Sequence, residues 1–204
     1  MRKLRSTTFV SLDGVMQAPG GPDEDPSGGF TLGGWTVPFF DDQVGEVMDR
    51  FMQPPFDLVL GRRTYDIFAG YWPHASDEEG AGPLNAATKY VASRGRPTLG
   101  WEDSVLLQGD VADAVTRLKE GEGPDLQVHG SGDLLHTLLR HGVVDDMQLI
   151  VFPVVLGSGR RLFTDGALPR TLRLIESSTS QSGVVISRYA VDGEVRTGSF
   201  EPDA

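Results

Sequence analysis

Hydrophobic and polar positions follow two rhythms along this chain. Residues 4–10 are short and β-branched, which predicts a first strand. From Phe40 the apolar side chains recur every three to four residues, at Val44, Val47, Met48 and Phe51. With Asp41 and Asp42 in its first turn, that segment predicts an amphipathic helix carrying acid at its positive end. Pro54-Pro55 stops it. Residues 57–60 predict a strand, and Gly61-Arg62-Arg63-Thr64-Tyr65 leads into a helical Ile67-Phe68. Strands are expected at 89–92 and 104–107, then a helix capped by Asp110 with Val111, Ala114, Val115 and Leu118 on one face. A strand at 126–128 runs into His129-Gly130-Ser131-Gly132. The next helix carries Leu134, Leu135, Leu138 and Leu139 and ends at Gly142. Residues 147–155 form a strong strand interrupted by Pro153. Strands at 171–175, 184–191 and 195–200 close the chain, with Asp192-Gly193 as a tight turn. Alternating strands and helices followed by consecutive strands predict an α/β fold with a mostly parallel sheet and an antiparallel edge. No internal repeat and no linker divides residues 1–204, so a single domain is expected.

Composition changes this picture in one respect. Glycine and proline number 26 and 13 of 204 residues, without any Gly-X-Y period, while 39% of the chain is hydrophobic. Collagen and wholesale disorder are therefore excluded, and the glycines must serve particular places. Many fall between 13 and 35, in Pro19-Gly20-Gly21-Pro22, Gly28-Gly29 and Gly33-Gly34. A connection of that length reads as a mobile cover over a site. Residues 73–83 read as an acidic, mobile loop, with Asp77-Glu78-Glu79 solvated. The chain has no cysteine, which rules out disulfides, thiolate zinc sites and a cysteine nucleophile. A net charge of −11 argues against general binding to nucleic acid or anionic membranes. A local basic pocket remains open to Arg62–Arg63, Arg94–Arg96 and Arg160–Arg161. The histidines show no metal-ligand grouping, and no serine, histidine and acid stand at a hydrolase spacing. No apolar run is long enough for a membrane span, and a cytoplasmic location is expected.

Candidate chemistry lies where strands run into helices. At Gly61-Arg62-Arg63-Thr64 and at His129-Gly130-Ser131-Gly132, free N–H groups and a helix dipole suit a phosphate. Glycine permits close backbone approach, and Thr64 and Ser131 add hydroxyls. Either turn alone reads better as a tight turn, with Arg62 and Arg63 solvated. Ser93-Arg94, also at a strand end, offers a hydroxyl and a guanidinium for a further phosphate, and alone reads better as an exposed loop.

In this order the pieces resemble the dihydrofolate reductase superfamily, and within it the reductase domain of the bifunctional riboflavin-biosynthesis deaminase–reductase and its stand-alone bacterial relatives. The likeness rests on Ser11-Leu12-Asp13-Gly14, Gly61-Arg62-Arg63-Thr64-Tyr65, Val91-Ala92-Ser93-Arg94 and Gly130-Ser131-Gly132. It rests also on Val144-Asp145-Asp146-Met147 and on Phe152-Pro153-Val154-Val155-Leu156-Gly157-Ser158-Gly159-Arg160-Arg161-Leu162-Phe163, the most specific signature. The resemblance implies a dihydrofolate reductase-like three-layer α/β/α sandwich that binds NADPH at the sheet rim and commonly dimerises. By carry-over, Gly61, Arg62, Arg63 and Thr64 would meet the pyrophosphate and 2′-phosphate, Ser93 and Arg94 the 2′-phosphate, and Gly130, Ser131, Gly132 and Asp133 the pyrophosphate. Residues 153–163 read either as part of a dimer interface or as a structural turn.

The sequence also departs from that pattern. Folate reductases carry a carboxylate five residues beyond the tryptophan that follows the cover. Counting from Trp35 reaches Phe40 instead, and Asp41 stands one position late, about 100° round a helix. His129 occupies a place where riboflavin-pathway reductases have glutamate. The zinc deaminase half is excluded by the absence of cysteine. Asp13 reads as the carboxylate nearest the substrate, or as an Asp-Gly turn. Trp35, Phe39 and Asp41 are candidates to contact substrate. The aromatic residues 35, 39 and 40 read either as an apolar wall or as core, and Phe40 reads better as core. His129 reads as a satisfied strand end rather than a catalytic acid. These readings lead to an NADPH-dependent reductase with a small heterocyclic or carbonyl substrate. The rival is a non-catalytic NADP-binding or interaction protein on the same fold.

Overall fold

The computed structural model describes residues 1–165 and 167–200. In chain order the elements are β1 (Leu4–Ser11), α1 (Asp42–Phe51), β2 (Phe56–Gly61), α2 (Arg62–Tyr71), α3 (Ala81–Ala86), β3 (Lys89–Ala92) and β4 (Ser104–Leu106). They continue with α4 (Val111–Glu120), β5 (Asp125–His129), α5 (Gly132–Arg140), β6 (Asp146–Phe152), β7 (Leu172–Thr179) and β8 (Val185–Val191). All eight strands join one sheet in the order β4-β3-β2-β5-β1-β6-β8-β7. The first six are mutually parallel, while β8 runs antiparallel to both β6 and β7.

Period-two alternation sorts side chains between the two faces. Val59 packs with Leu126, Val128 and Met147 against Val115 of α4 and Leu135 and Leu138 of α5. Its neighbours Leu58 and Leu60 pack instead with Tyr65 of α2 and Leu84 of α3. On that second face Val44 of α1 lies with Ile150, Phe152 and Ile186. Helices thus cover both sides of the sheet, as a buried parallel sheet requires. Leu135 and Leu138 are fully buried, each contributing roughly 2 kcal/mol of apolar transfer.

Three expectations need correction. Residues 195–200 form no strand; Val195 and Phe200 are exposed, and the polar residues between them offer no apolar face to pack. Asp192-Gly193 makes no hairpin turn. The Asp192 N–H donates to the Thr171 carbonyl and the Thr171 N–H to that of Gly193, extending the β7–β8 pairing. Residues 73–83 are built rather than loose, with Ser76 and Glu79 forming a reciprocal capping box and α3 following.

The glycine-rich stretch 13–35 is anchored as well. Val15, Ala18, Phe30 and Trp35 are all buried in the core on the α1 side. Trp35 Nε1 donates to the Gln17 carbonyl at 2.7 Å, and Gln17 Nε2 donates to the carbonyls of Asp25 and Ser27. A Cβ on Gly33 would lie 2.4 Å from the Gly21 carbonyl oxygen, so the chain can cross itself there only on glycine. The signature at 153–163 explains part of this order. Val15 bridges to Arg161, the Met16 N–H donates to Arg160 and the Leu162 N–H to Gly14. Its pairing partner is therefore the segment after β1.

Candidate functional site

Because β2, β3 and β5 are parallel, their carboxyl ends bring Gly61, Ser93-Arg94 and Gly130 to one rim. The connection from β1 crosses to β2 on one side, and that from β5 crosses to β6 on the other. A crevice opens where the winding reverses, the usual ligand site of open α/β sheets. Pairing of β1 with β5 ends at Thr7↔His129, whereas pairing with β6 continues to Ser11↔Phe152. The β5-facing edge of β1 beyond Thr7 therefore stands at the head of a cleft of about 2440 Å³.

Gly61, Arg62, Arg63, Thr64, Ser93, Arg94, Gly130, Ser131, Gly132 and Asp133 all line that cleft. One hydroxyl ties two of the turns together. Ser131 Oγ accepts from the Gly61 N–H at 3.0 Å and donates to Thr64 Oγ1 at 2.8 Å. To do so Ser131 adopts a left-handed backbone, φ 57° and ψ 55°, as the N-cap of α5. The amino ends of α2 and α5 are thereby held side by side. Met16 lies against the same turn, 3.1 Å from where a Gly132 Cβ would stand.

The arginines round the rim differ in how far they are committed. Arg62 forms a two-point bridge to Asp66 at 2.7 and 2.8 Å. Arg63 donates to Ser27 Oγ at 2.6 Å and reaches Asp25. Arg160 pairs with the same buried Asp25 and with Ser27, and its own burial lowers its pKa. Segment 13–35 is thus latched to α2 and to the 157–161 turn through one carboxylate. Arg94 makes no hydrogen bond or ion pair with the described residues, so its guanidinium stands ready for an anion.

Between α1 and α2 the cleft changes character. Thr7 and Phe9 of β1 and His129 of β5 form its floor, with Phe40, Met48, Met52, Phe68 and Trp72 on the walls. The His129 ring is boxed by Phe51 and Phe68 at 5.5 and 6.0 Å, and Nε2 meets Gln127 Oε1 at 3.0 Å. Burial alone lowers its pKa to about 4, so the imidazole is neutral at pH 7. Glu24, also in the cleft, has its pKa raised by burial against the hold of the Gly20 and Gly21 N–H groups.

Several sequence-predicted residues stand elsewhere. Asp13 does not line the cleft; its carboxylate accepts from Ser11 Oγ, the Leu156 and Gly157 N–H groups and Arg161, which hold its pKa far below the usual range. Asp41 caps α1, accepting from the Val44 and Ser182 N–H groups, and its pKa falls to about 2. Trp35 is core, edge-on to Phe152 at 5.5 Å, and Phe39 packs partly buried on the same cluster. Phe40, read as core, is instead 46% exposed and lines the cleft. Sequence reasoning missed Asp49, which shares with Gly45, Met48 and Met52 the face of α1 that meets the cleft. The spacing i, i+3, i+4, i+7 was legible; its mixed polarity hid it behind the stronger apolar stripe of the core face.

The doubly wound sheet, the rim crevice and the antiparallel edge define a dihydrofolate reductase-like α/β protein. A family model for the RibD C-terminal domain matches residues 2–186, and the chain belongs to that family, an oxidoreductase family of the riboflavin-pathway type. It is 27% identical over 200 residues to the uncharacterized protein YyaP of Bacillus subtilis, covering 94% of this chain and 96% of that one. It is likewise 27% identical to YwjB of the same organism, covering 93% and 98%. Among solved structures, a putative riboflavin biosynthesis protein from Shewanella superposes with a TM-score of 0.64 at 21% identity, covering 93% of this chain and 99% of that one. A pyrimidine reductase-like protein from Corynebacterium diphtheriae gives 0.60 at 16% identity, covering 95% and 93%. These two structural likenesses speak to the fold.

Proposed function

We propose that this chain is an NADPH-dependent reductase of a small heterocyclic or carbonyl substrate. The observation that carries the reading is the pair of helix amino ends locked together by Ser131 beside the unpartnered Arg94. Two sets of backbone N–H groups converge on one spot, as a pyrophosphate requires. The residues present fit the cofactor: Gly61, Thr64 and Gly130 to Asp133 would hold the pyrophosphate, and Ser93 and Arg94 the 2′-phosphate. Arg62 and Arg63 contribute less than their position in sequence suggests, since Asp66 and Asp25 already engage them.

Bound NADPH supplies a hydride; the protein binds, orients and excludes water. Phe9 and Phe40, edge to face at 6.2 Å, present apolar surface beside the open edge of β1. Neutral His129 offers a hydrogen-bonding nitrogen without placing a charge beside the substrate. Glu24, whose pKa burial raises against the Gly20 and Gly21 N–H groups, lines the same cleft.

The test is titration with NADPH and NADH by tryptophan quenching, followed by NADPH consumption against pterins, pyrimidines and quinones. Replacing Arg94 removes charged hydrogen bonds worth about 1.5–3 kcal/mol, so Arg94→Ala is expected to weaken NADPH by roughly 10- to 100-fold and to spare NADH. Equal losses for both cofactors would remove Arg94 from the 2′-phosphate. Tight binding without turnover across the panel would leave a cofactor-binding protein that is not an enzyme. A homodimer belongs to the same proposal, with the exposed Leu174 and Ile175 of edge strand β7 as the seam a second copy would cover.

A further inference from the structure

The cleft has two electrostatic ends, and α2 runs between them. Its ten residues span about 15 Å. Its amino end joins that of α5 at the rim, where the positive helix poles and Arg63, Arg94, Arg160 and Arg161 gather among Asp23, Glu24 and Asp25. At the opposite end its last turn, Gly70 to Trp72, lines the cleft together with Met48, Asp49 and Met52, the last turn of α1. Both helices therefore direct their negative poles to that end.

The side chains there follow the same sign. Asp49 is exposed and makes no side-chain hydrogen bond or ion pair with the described residues; Glu79 accepts from Tyr71 and Ser76, which keep its pKa low. Along α2, Asp66 neutralises Arg62, and Asp25 engages Arg63. Among the described residues of this end no unpaired lysine or arginine lines the wall, and His129 is neutral. The walls themselves are aromatic and thioether: Phe40, Met48, Met52, Phe68, Tyr71 and Trp72.

We infer that this end selects a planar substrate bearing N–H donors or a positive charge and no phosphate or carboxylate tail, and that Asp49 sets the preference. A phosphate needs cations or helix amino ends, and here it would meet two carboxyl ends and an unpaired carboxylate. A 5-phosphoribosyl-bearing pyrimidine with its phosphate at this end would therefore bind poorly. The inference rests on the reductase reading for the word substrate, but the charge selection belongs to the cleft with or without cofactor.

The test uses two fluorescent probes with one ring system, 6-hydroxymethylpterin and pterin-6-carboxylate, titrated onto the full chain with and without NADPH. The uncharged probe is expected to bind at least tenfold more tightly, with the gap narrowing in high salt. Asp49→Asn should shrink the gap by threefold or more, and Asp49→Lys should close or reverse it. Equal or tighter binding of the carboxylate, a gap indifferent to Asp49, or no binding of the uncharged probe at millimolar concentration would overturn the inference. NADPH binding, read on the same samples, judges the cofactor reading separately.

Discussion

Ser131 holds an uncommon backbone for a residue with a Cβ, and the hydrogen bonds of its hydroxyl explain why serine stands there. Ser131→Ala keeps the left-handed strain and loses the link between Gly61 and Thr64. It is expected to weaken NADPH by about tenfold, at the cost of one or two hydrogen bonds, with little change in melting temperature. Ser131→Gly, which relieves the strain, should be more stable than Ser131→Ala yet bind no better. Isothermal titration and thermal melts separate the two effects. His129 gives a pH signature. The unfolded chain takes up a proton near pH 6.5, whereas the folded chain refuses it down to about 4. Stability associated with the neutral ring is therefore intact above pH 6.5 and erodes as pH falls through that window, by about 3 kcal/mol in all. His129→Gln should flatten the fall in melting temperature between pH 7 and 5; an unchanged slope would show that the ring is protonated in the folded protein.

At the scale of elements, the strand–helix alternation was readable because buried parallel strands and amphipathic helices leave periodic marks. Leu58-Val59-Leu60 and the leucines of α5 are examples, and both lie where expected. The three rim turns were readable for a related reason: a parallel sheet delivers every strand's carboxyl end to one rim, so three short motifs line one cleft. Segment 13–35 was not readable as an anchored element, because its order comes from contacts across the chain. Asp25 finds Arg160 and Arg63, and Gly33 finds Gly21; no local period announces such pairs. Phe40 and Trp35 exchanged places for the same reason, since only tertiary packing decides which aromatic faces the core. Asp13 and Asp41 stand outside the cleft, each held by backbone N–H groups. The latch at Asp25 has a measurable consequence. Asp25→Asn removes the buried carboxylate that Arg160 and Arg63 share, so the 13–35 stretch should show faster amide hydrogen exchange while β1 and β5 keep their protection. Uniform loss of protection would mean that the carboxylate supports the whole fold.

At the scale of the molecule, β1 is central: it lies between β5 and β6, and Leu4 pairs with Leu126 while Arg5 pairs with Asp146. Within this sheet β1 precedes both of its neighbours in the chain. While the ribosome is still adding α2, α3 and α4, residues 4–11 have neither neighbour, and this apolar, β-prone segment must be sheltered until β5 and β6 emerge. Stalled chains ending before Asp125 are expected to leave residues 4–11 open to protease and to chaperones, with protection arriving only when residues through Phe152 have emerged. Early protection would require a partner for β1 that the finished sheet does not contain. For this strand synthesis and seating are far apart in time, and the cleft, whose head is the open edge of β1, cannot form before β5 and β6 are in place.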